Sequence, residues 1–213
     1  MKVFVTAIFI TTSLLPIKII QWPISFSKKR KAETLEYIKA HYDSNATNIH
    51  IDPEIIVVHW TGINSLKSSW ATFNRETINL RRKKVSKAGS VNVSIHFLVA
   101  RNGTIYQLMP LNIMARHVIG LNRKSIGIEN VGSGKTSLTK AQLKANANLV
   151  RYLKQKLPSL KYLIGHHEYR DFEKSPLFEE KDHRYRTIKS DPGKTFMKRL
   201  RYKVKDLKLK AKP

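Results

Sequence analysis

Glu54-Ile55-Ile56-Val57-Val58-His59-Trp60, entered through Asp52-Pro53 and closed by Thr61-Gly62, is the stretch on which the fold turns. Four β-branched residues in succession suit a pleated backbone and resist a helix. A run that is apolar at every position, instead of every second one, reads as a strand covered on both faces. That places it in the centre of a sheet, and its apolar part ends on a histidine.

Working outward, residues 65–77 carry a helical pattern, and residues 79–89 are basic and poor in apolar side chains, as a loop would be. Residues 91–100, then Arg101-Asn102-Gly103-Thr104, then residues 105–108 read as a hairpin, because Asn-Gly supplies the positive φ angles of a tight turn. Two further strands are expected at Ser125-Ile126-Gly127-Ile128-Glu129-Asn130 and Tyr162-Leu163-Ile164. Between them, Leu143, Ala147, Val150 and Leu153 recur at helical spacing over residues 139–157, and Pro158 ends that helix. Upstream, Leu35, Ile38 and Tyr42 share one face of a weaker helical pattern over residues 31–42. Strands interleaved with helices, plus one hairpin, define an α/β fold: a single domain with a central mixed β-sheet flanked by helices. The length of 213 residues suits one sizeable core.

The composition excludes several chemistries. There is no cysteine, so disulfides, thiolate ligands and a cysteine nucleophile are all ruled out. Any metal must be held by histidines and carboxylates. A formal net charge of +25 attracts polyanions such as nucleic acid, anionic lipid or acidic wall polymers, although part of the lysine excess matches an Ile- and Asn-rich composition. The C-terminal lysines lie on a segment whose Phe196, Leu200, Val204 and Leu207 share one helical face, so a docked amphipathic helix accounts for them as well as a polyanion-binding tail does.

At the N-terminus, Lys2 precedes an apolar stretch over residues 3–15 that Pro16 and Lys18 interrupt. It reads as a secretory signal, too short for an ordinary span of about 20 apolar residues. Ser25-Phe26-Ser27 offers a small-x-small cleavage site, and an uncleaved membrane anchor is the alternative. Lys28, Lys29, Arg30 and Lys31 just beyond it oppose export by the positive-inside tendency. The expected division is a signal peptide or anchor over 1–27, a helical extension over 28–50, a catalytic domain over 51–202 and a basic tail over 203–213, with the protein exported to the periplasm or cell envelope.

His59 ends one strand, Gly165-His166-His167 follows another, and Asp191 lies in Lys189-Ser190-Asp191-Pro192-Gly193. Two imidazoles and one carboxylate form a donor set that holds catalytic zinc with a position open to water. Taken singly each is weak, since a histidine after a strand is more often packing and Asp-Pro-Gly is commonly a turn. Their flanks decide the matter. His59-Trp60-Thr61, Ser94-Ile95-His96-Phe97, Gly103-Thr104-Ile105-Tyr106, Ser125-Ile126-Gly127-Ile128-Glu129, Gly165-His166 and Lys189-Ser190-Asp191-Pro192-Gly193 occur in an order that resembles the type-2 N-acetylmuramoyl-L-alanine amidases. That family also includes phage lysozyme-amidases and peptidoglycan-recognition proteins.

The resemblance covers residues 55–197. It implies Zn2+ held by His59, His166 and Asp191, with Glu129 and Lys189 beside the metal as catalytic groups and His117 lining the cleft on the substrate side. The reaction it implies is hydrolysis of the amide between the lactyl group of N-acetylmuramic acid and L-alanine, in peptidoglycan or muropeptides. His96 is expected to orient neighbours from its strand. His167 and His183 are rival ligands to His166, and much of residues 168–187 looks like an insertion beside the cleft. At Ile95 some relatives place a tyrosine near the metal, which makes Glu129 more necessary as proton acceptor. The other readings are a non-catalytic peptidoglycan-binding module and a nucleic-acid-binding protein motivated by charge alone; the chain holds no recognised nucleic-acid motif.

Overall fold

The computed structural model describes residues 17–81 and 83–213. Six strands, β1 (Ile19–Gln21), β2 (Ile55–Trp60), β3 (Phe97–Val99), β4 (Ile105–Gln107), β5 (Ser125–Asn130) and β6 (Tyr162–Gly165), form one sheet in the order β1-β4-β3-β5-β2-β6. β3 and β4 are antiparallel, while β1 is parallel to β4 and the pairs β3–β5, β5–β2 and β2–β6 are parallel, so the sheet is mixed, as the sequence indicates. The hairpin turns at Gly103, whose φ of 89° suits glycine; its strands are three residues each, shorter than the apolar stretches around them.

Five helices are described: α1 (Lys28–His41), α2 (Leu66–Asn74), the one-turn α3 (Lys83–Ser86) inside the expected loop, α4 (Lys140–Lys156) and α5 (Lys194–Lys203). α4 begins where Thr139 and Gln142 form a reciprocal capping box. β2 explains its own sequence. Ile56 and Val58 pack into the core shared with α1, α4 and α5, whereas Ile55 and Val57 face Ile119, Tyr169 and Phe172 on the other side. Both faces are covered, so no position along the strand could be polar until its end.

Both ends of the described chain pack against the central domain. The apolar stretch at residues 3–15, expected to be a signal or anchor, lies outside the described residues, while residues 17–27 pack against the rest of the chain. β1 hydrogen-bonds to β4, Ile24 is buried, Trp22 stacks on Trp70 at 4.9 Å, and Ser27 caps α1. Strand β1 escaped the sequence reading because Pro16, Lys18 and Pro23 break up its apolar pattern. Region 28–50 carries helix α1, and Tyr37, Ile38 and Tyr42 of α1 and its C-cap enter the main core. The region 203–213 is docked as well: Lys210 accepts from Leu163 N and donates to Lys161 O, both at 2.9 Å, extending the sheet past β6. The helical face of α5 carries Phe196, Met197 and Leu200 into the core and continues through Val204. Among the described residues no helix is long and apolar enough to cross a membrane.

Candidate metal centre

Three neighbouring chain segments deliver the donors. His59 is the fifth residue of β2, His166 follows the last residue of β6, and Asp191 sits in the turn before α5, ahead of a cis peptide to Pro192. β2 and β6 are adjacent and parallel, so both strands point their C-terminal ends at the same place. His59 Nδ1 lies 2.9 Å from His166 Nδ1 and 3.2 Å from Asp191 Oδ2, and His166 Nδ1 lies 3.0 Å from the same oxygen. All three residues are buried.

Two nitrogens and one carboxylate oxygen at the corners of so small a triangle fit a single small cation. Zinc bonds of about 2.0–2.1 Å in a tetrahedron set the donor atoms roughly 3.3–3.4 Å apart, a few tenths of an ångström from the separations here. The protonation states suit the same use. Burial pushes the His166 imidazole down to about 4, helped by His59 and Lys189, so it is neutral near pH 7. Burial alone would raise the Asp191 carboxyl, but His166 and His59 at hydrogen-bond distance hold it far below the usual carboxylate range. The site is therefore a neutral imidazole and a carboxylate, the states a metal requires.

Direction separates His166 from its neighbour: the cluster within reach of one ion is His59, His166 and Asp191. His167 turns away: its backbone N–H and its Nδ1 both face Asp191 O, at 3.1 and 3.0 Å, so it anchors the turn that presents Asp191. His183 is exposed on the loop and outside the cluster. The residues 168–187 form a 3-10 segment (His166–Phe172) and loops whose Tyr169 and Phe172 are buried under β2, so the segment is part of the core on that side.

Glu129 and Lys189 line the same cavity of about 480 Å³ as the three donors, together with His117. Glu129 is the register partner of His59 across β2 and β5, which puts both side chains on one face of the sheet. His117 reaches the cavity wall, but its nitrogens are directed into the protein: Nδ1 is 3.0 Å from His59 Nε2 and Nε2 is 3.3 Å from Ser125 Oγ. His117 therefore lines the cavity while both its ring nitrogens are engaged by protein partners. Burial, reinforced by His59, His96 and His166, holds the ring well below the usual histidine range, so it is neutral. His96 does orient neighbours: its Nδ1 accepts from Gly127 N at 3.1 Å and its Nε2 donates to Ile113 O at 3.0 Å. Ile95 is fully buried against Gly127.

Two supports went unread in the sequence. Asn122 Oδ1 accepts from the backbone of both His117 and Val118 at 2.8 Å, and its amide donates to Tyr42 OH at 2.7 Å, tying the His117 loop to the end of α1. Gly127 is the second. A Cβ there would lie 2.9 Å from the His117 ring and 2.3 Å from Ile95 Cδ1. A glycine inside a strand signals such a close approach, and Ser125-Ile126-Gly127 carried that signal.

A model of the family described as N-acetylmuramoyl-L-alanine amidase matches residues 49–194. Peptidoglycan-recognition protein SC2 of Drosophila melanogaster is 30% identical over 95 residues, 44% of this chain and 51% of that protein, and the Drosophila simulans protein of the same name matches equally. The chain thus spans about half the length of the curated relatives it matches. Among solved structures, a selenomethionine derivative of AmpD shares the fold with a TM-score of 0.55 and 23% identity, over 89% of this chain and 96% of that one. Human PGRP-IBETAC, solved with glycosamyl muramyl pentapeptide, gives 0.50 and 16% over 72% and 84%. With a family match over more than half its length and a fold that agrees, the chain belongs to the N-acetylmuramoyl-L-alanine amidase family.

Proposed function

We propose that this protein is a zinc-dependent amidase that hydrolyses the bond between the lactyl group of N-acetylmuramic acid and L-alanine in peptidoglycan or its fragments. The observation that carries the reading is the convergence of His59 Nδ1, His166 Nδ1 and Asp191 Oδ2 within 3.2 Å at the floor of the cavity that also holds Glu129 and Lys189. Family membership supports this choice of bond, and the donor set supports zinc as cofactor.

Bound there, zinc supplies Lewis acidity, making water more acidic and the amide carbonyl more electrophilic. Glu129 accepts the proton of the attacking water as its oxygen bonds to the carbonyl carbon. It returns that proton to the nitrogen of L-alanine as the C–N bond breaks; the water's other proton leaves as the new carboxyl group ionises and is taken up by the amine or solvent, so the products are a lactyl carboxylate and a free peptide amine. Lys189 faces the negative charge that develops on the carbonyl oxygen, where a fixed cation in a closed site acts more strongly than in water.

The test is mass spectrometry of defined muropeptides incubated with the zinc-loaded protein: free stem peptide and intact disaccharide are expected in equal amounts. Tight binding of muropeptide without cleavage, zinc being present, would replace this reading by that of a peptidoglycan-binding module, which the recognition-protein relatives make the next choice. We further propose export to the cell envelope, on the apolar residues 3–15, and retention there by anionic polymers or lipid. The exposed Lys203, Lys205, Lys208, Lys210 and Lys212 support retention. Reversal of these charges is expected to release the protein from cell-wall preparations at moderate salt.

A further inference from the structure

The His59 ring has two nitrogens, and only one can serve the metal centre. Its Nδ1 faces His166 and Asp191, and its Nε2 faces His117 Nδ1 at 3.0 Å. Beyond that, His117 Nε2 is 3.3 Å from Ser125 Oγ, and Ser125 Oγ is 2.7 Å from Leu121 O. Ser125 and His117 are thus links in a chain that begins at a metal-donor histidine and ends on a backbone carbonyl.

A carbonyl only accepts, and this fixes the direction of every link. The Ser125 hydroxyl donates to Leu121 O, so toward His117 its oxygen is an acceptor. His117 must then carry its proton on Nε2 and present a lone pair at Nδ1. His59 in turn must carry its proton on Nε2, which leaves the lone pair on Nδ1, aimed at the metal centre. The opposite polarity would start with Ser125 donating along the 3.3 Å link and leaving the 2.7 Å link to Leu121 O without a proton; it would also place a proton on His59 Nδ1, between the donors.

The strand is built to hold this chain. Ser125, Gly127 and Glu129 alternate on the face of β5 that carries Ile55, Val57 and His59 on β2. Gly127 stands between Ser125 and Glu129, and the His117 ring lies against it where a Cβ would sit 2.9 Å away. The bare Cα lets the imidazole lie flat on the sheet and reach Ser125 on one side and His59 on the other.

We propose that Ser125, acting through His117, is a positioning residue that fixes the tautomer of His59 and so prepares the site for zinc before the ion arrives. This rests on the metal-site reading above. It differs from the common arrangement, in which a ligand histidine donates directly to a carboxylate or carbonyl, because here a second, neutral histidine is interposed.

The experiment is nitrogen-15 NMR of the histidine rings in full-length protein, without metal and with zinc, for wild type, Ser125→Ala and Ser125→Thr, alongside zinc affinity by chelator competition. Wild type is expected to show His117 protonated on Nε2 and His59 on Nε2 in both states, with a coupling across the His59–His117 N–H···N bond. Ser125→Ala should weaken that coupling, mix the His117 tautomers and lower zinc affinity roughly 10-fold, and Ser125→Thr should restore all three. In a His117→Leu background Ser125→Ala should change affinity no further, which a purely structural loss at Ser125 would not reproduce. A proton on His117 Nδ1 in wild type, or an Ser125→Ala variant with unchanged tautomers, overturns the proposal. Failure of wild type to bind zinc overturns the metal-site reading instead, and the tautomers of the metal-free protein still decide the role of Ser125.

Discussion

His59 on β2 and Glu129 on β5 are register partners, so the residue proposed to hold the metal and the residue proposed to move protons stand side by side on one face of the sheet. Neither depends on the other for its place, because each is fixed by its own strand. The two functions should therefore separate on mutation. Glu129→Gln is expected to keep zinc affinity within a few-fold of wild type while kcat falls by roughly 10²–10⁴; His59→Ala should lose the metal itself. Metal content by elemental analysis, beside kcat on one muropeptide, checks both. Loss of zinc from Glu129→Gln would remove Glu129 from the role given to it.

His166 and His167 are adjacent in sequence but opposite in use. Replacement of His166 by Ala should abolish stoichiometric zinc binding. His167→Ala removes one hydrogen bond to Asp191 O and leaves the donor triangle intact, so affinity should fall by about 10-fold or less, the order of a lost hydrogen bond worth about 1 kcal/mol. Titration with zinc under chelator competition distinguishes them.

At Gly127 the sheet has no room for a methyl group, the nearest atoms being 2.3 Å and 2.9 Å from the built Cβ. Gly127→Ala is expected to destabilise the fold by about 1–3 kcal/mol and to push His117 off the strand. Adding Ile95→Val, which removes the atom nearest the new methyl, should recover part of the stability but not the His59–His117 contact. Chemical denaturation and the NMR coupling report the two effects separately.

Acid should weaken the metal-free fold for a definite reason. Burial holds His96 down to about 4 and His166 down to about 4, and His117 is shifted in the same direction. The folded state therefore binds fewer protons than the unfolded chain between the two pKa values. Stability from these groups is complete above about pH 6.5 and is lost as pH falls toward 4. For His96, which is fully buried, the total is roughly 3 kcal/mol. Denaturant midpoints measured in chelator at pH 7.5 and pH 5 should differ clearly, with the lower value at pH 5; equal midpoints would mean that these rings are hydrated.

The N-terminal boundary is open to a direct check. Removal of residues 1–16 is expected to leave the melting temperature close to that of the full chain. Removal of residues 1–27 takes away β1, buried Ile24, the Trp22–Trp70 stack and the Ser27 cap, and should lower it by about 10 °C or more, roughly 3–5 kcal/mol for a domain of this size.

What the sequence determined by itself was whatever has a local cause. Four β-branched residues before His59 require a strand covered on both faces; Asn102-Gly103 requires a turn; the spacing of Leu143, Ala147, Val150 and Leu153 requires one apolar helical face; and the motif order carried the family. What only tertiary structure decided were relations between distant segments. β1 has three residues and gains its meaning from pairing with β4, 86 positions further along the chain. His166 and His167 are the same residue type in the same local context, and the turn at Asp191 alone shows which one faces inward. Ser125, Gly127 and His117 form one device because two strands and a loop meet. A hydrogen bond depends on position and direction in space, and neither can be read from residue types along a chain until the chain has folded.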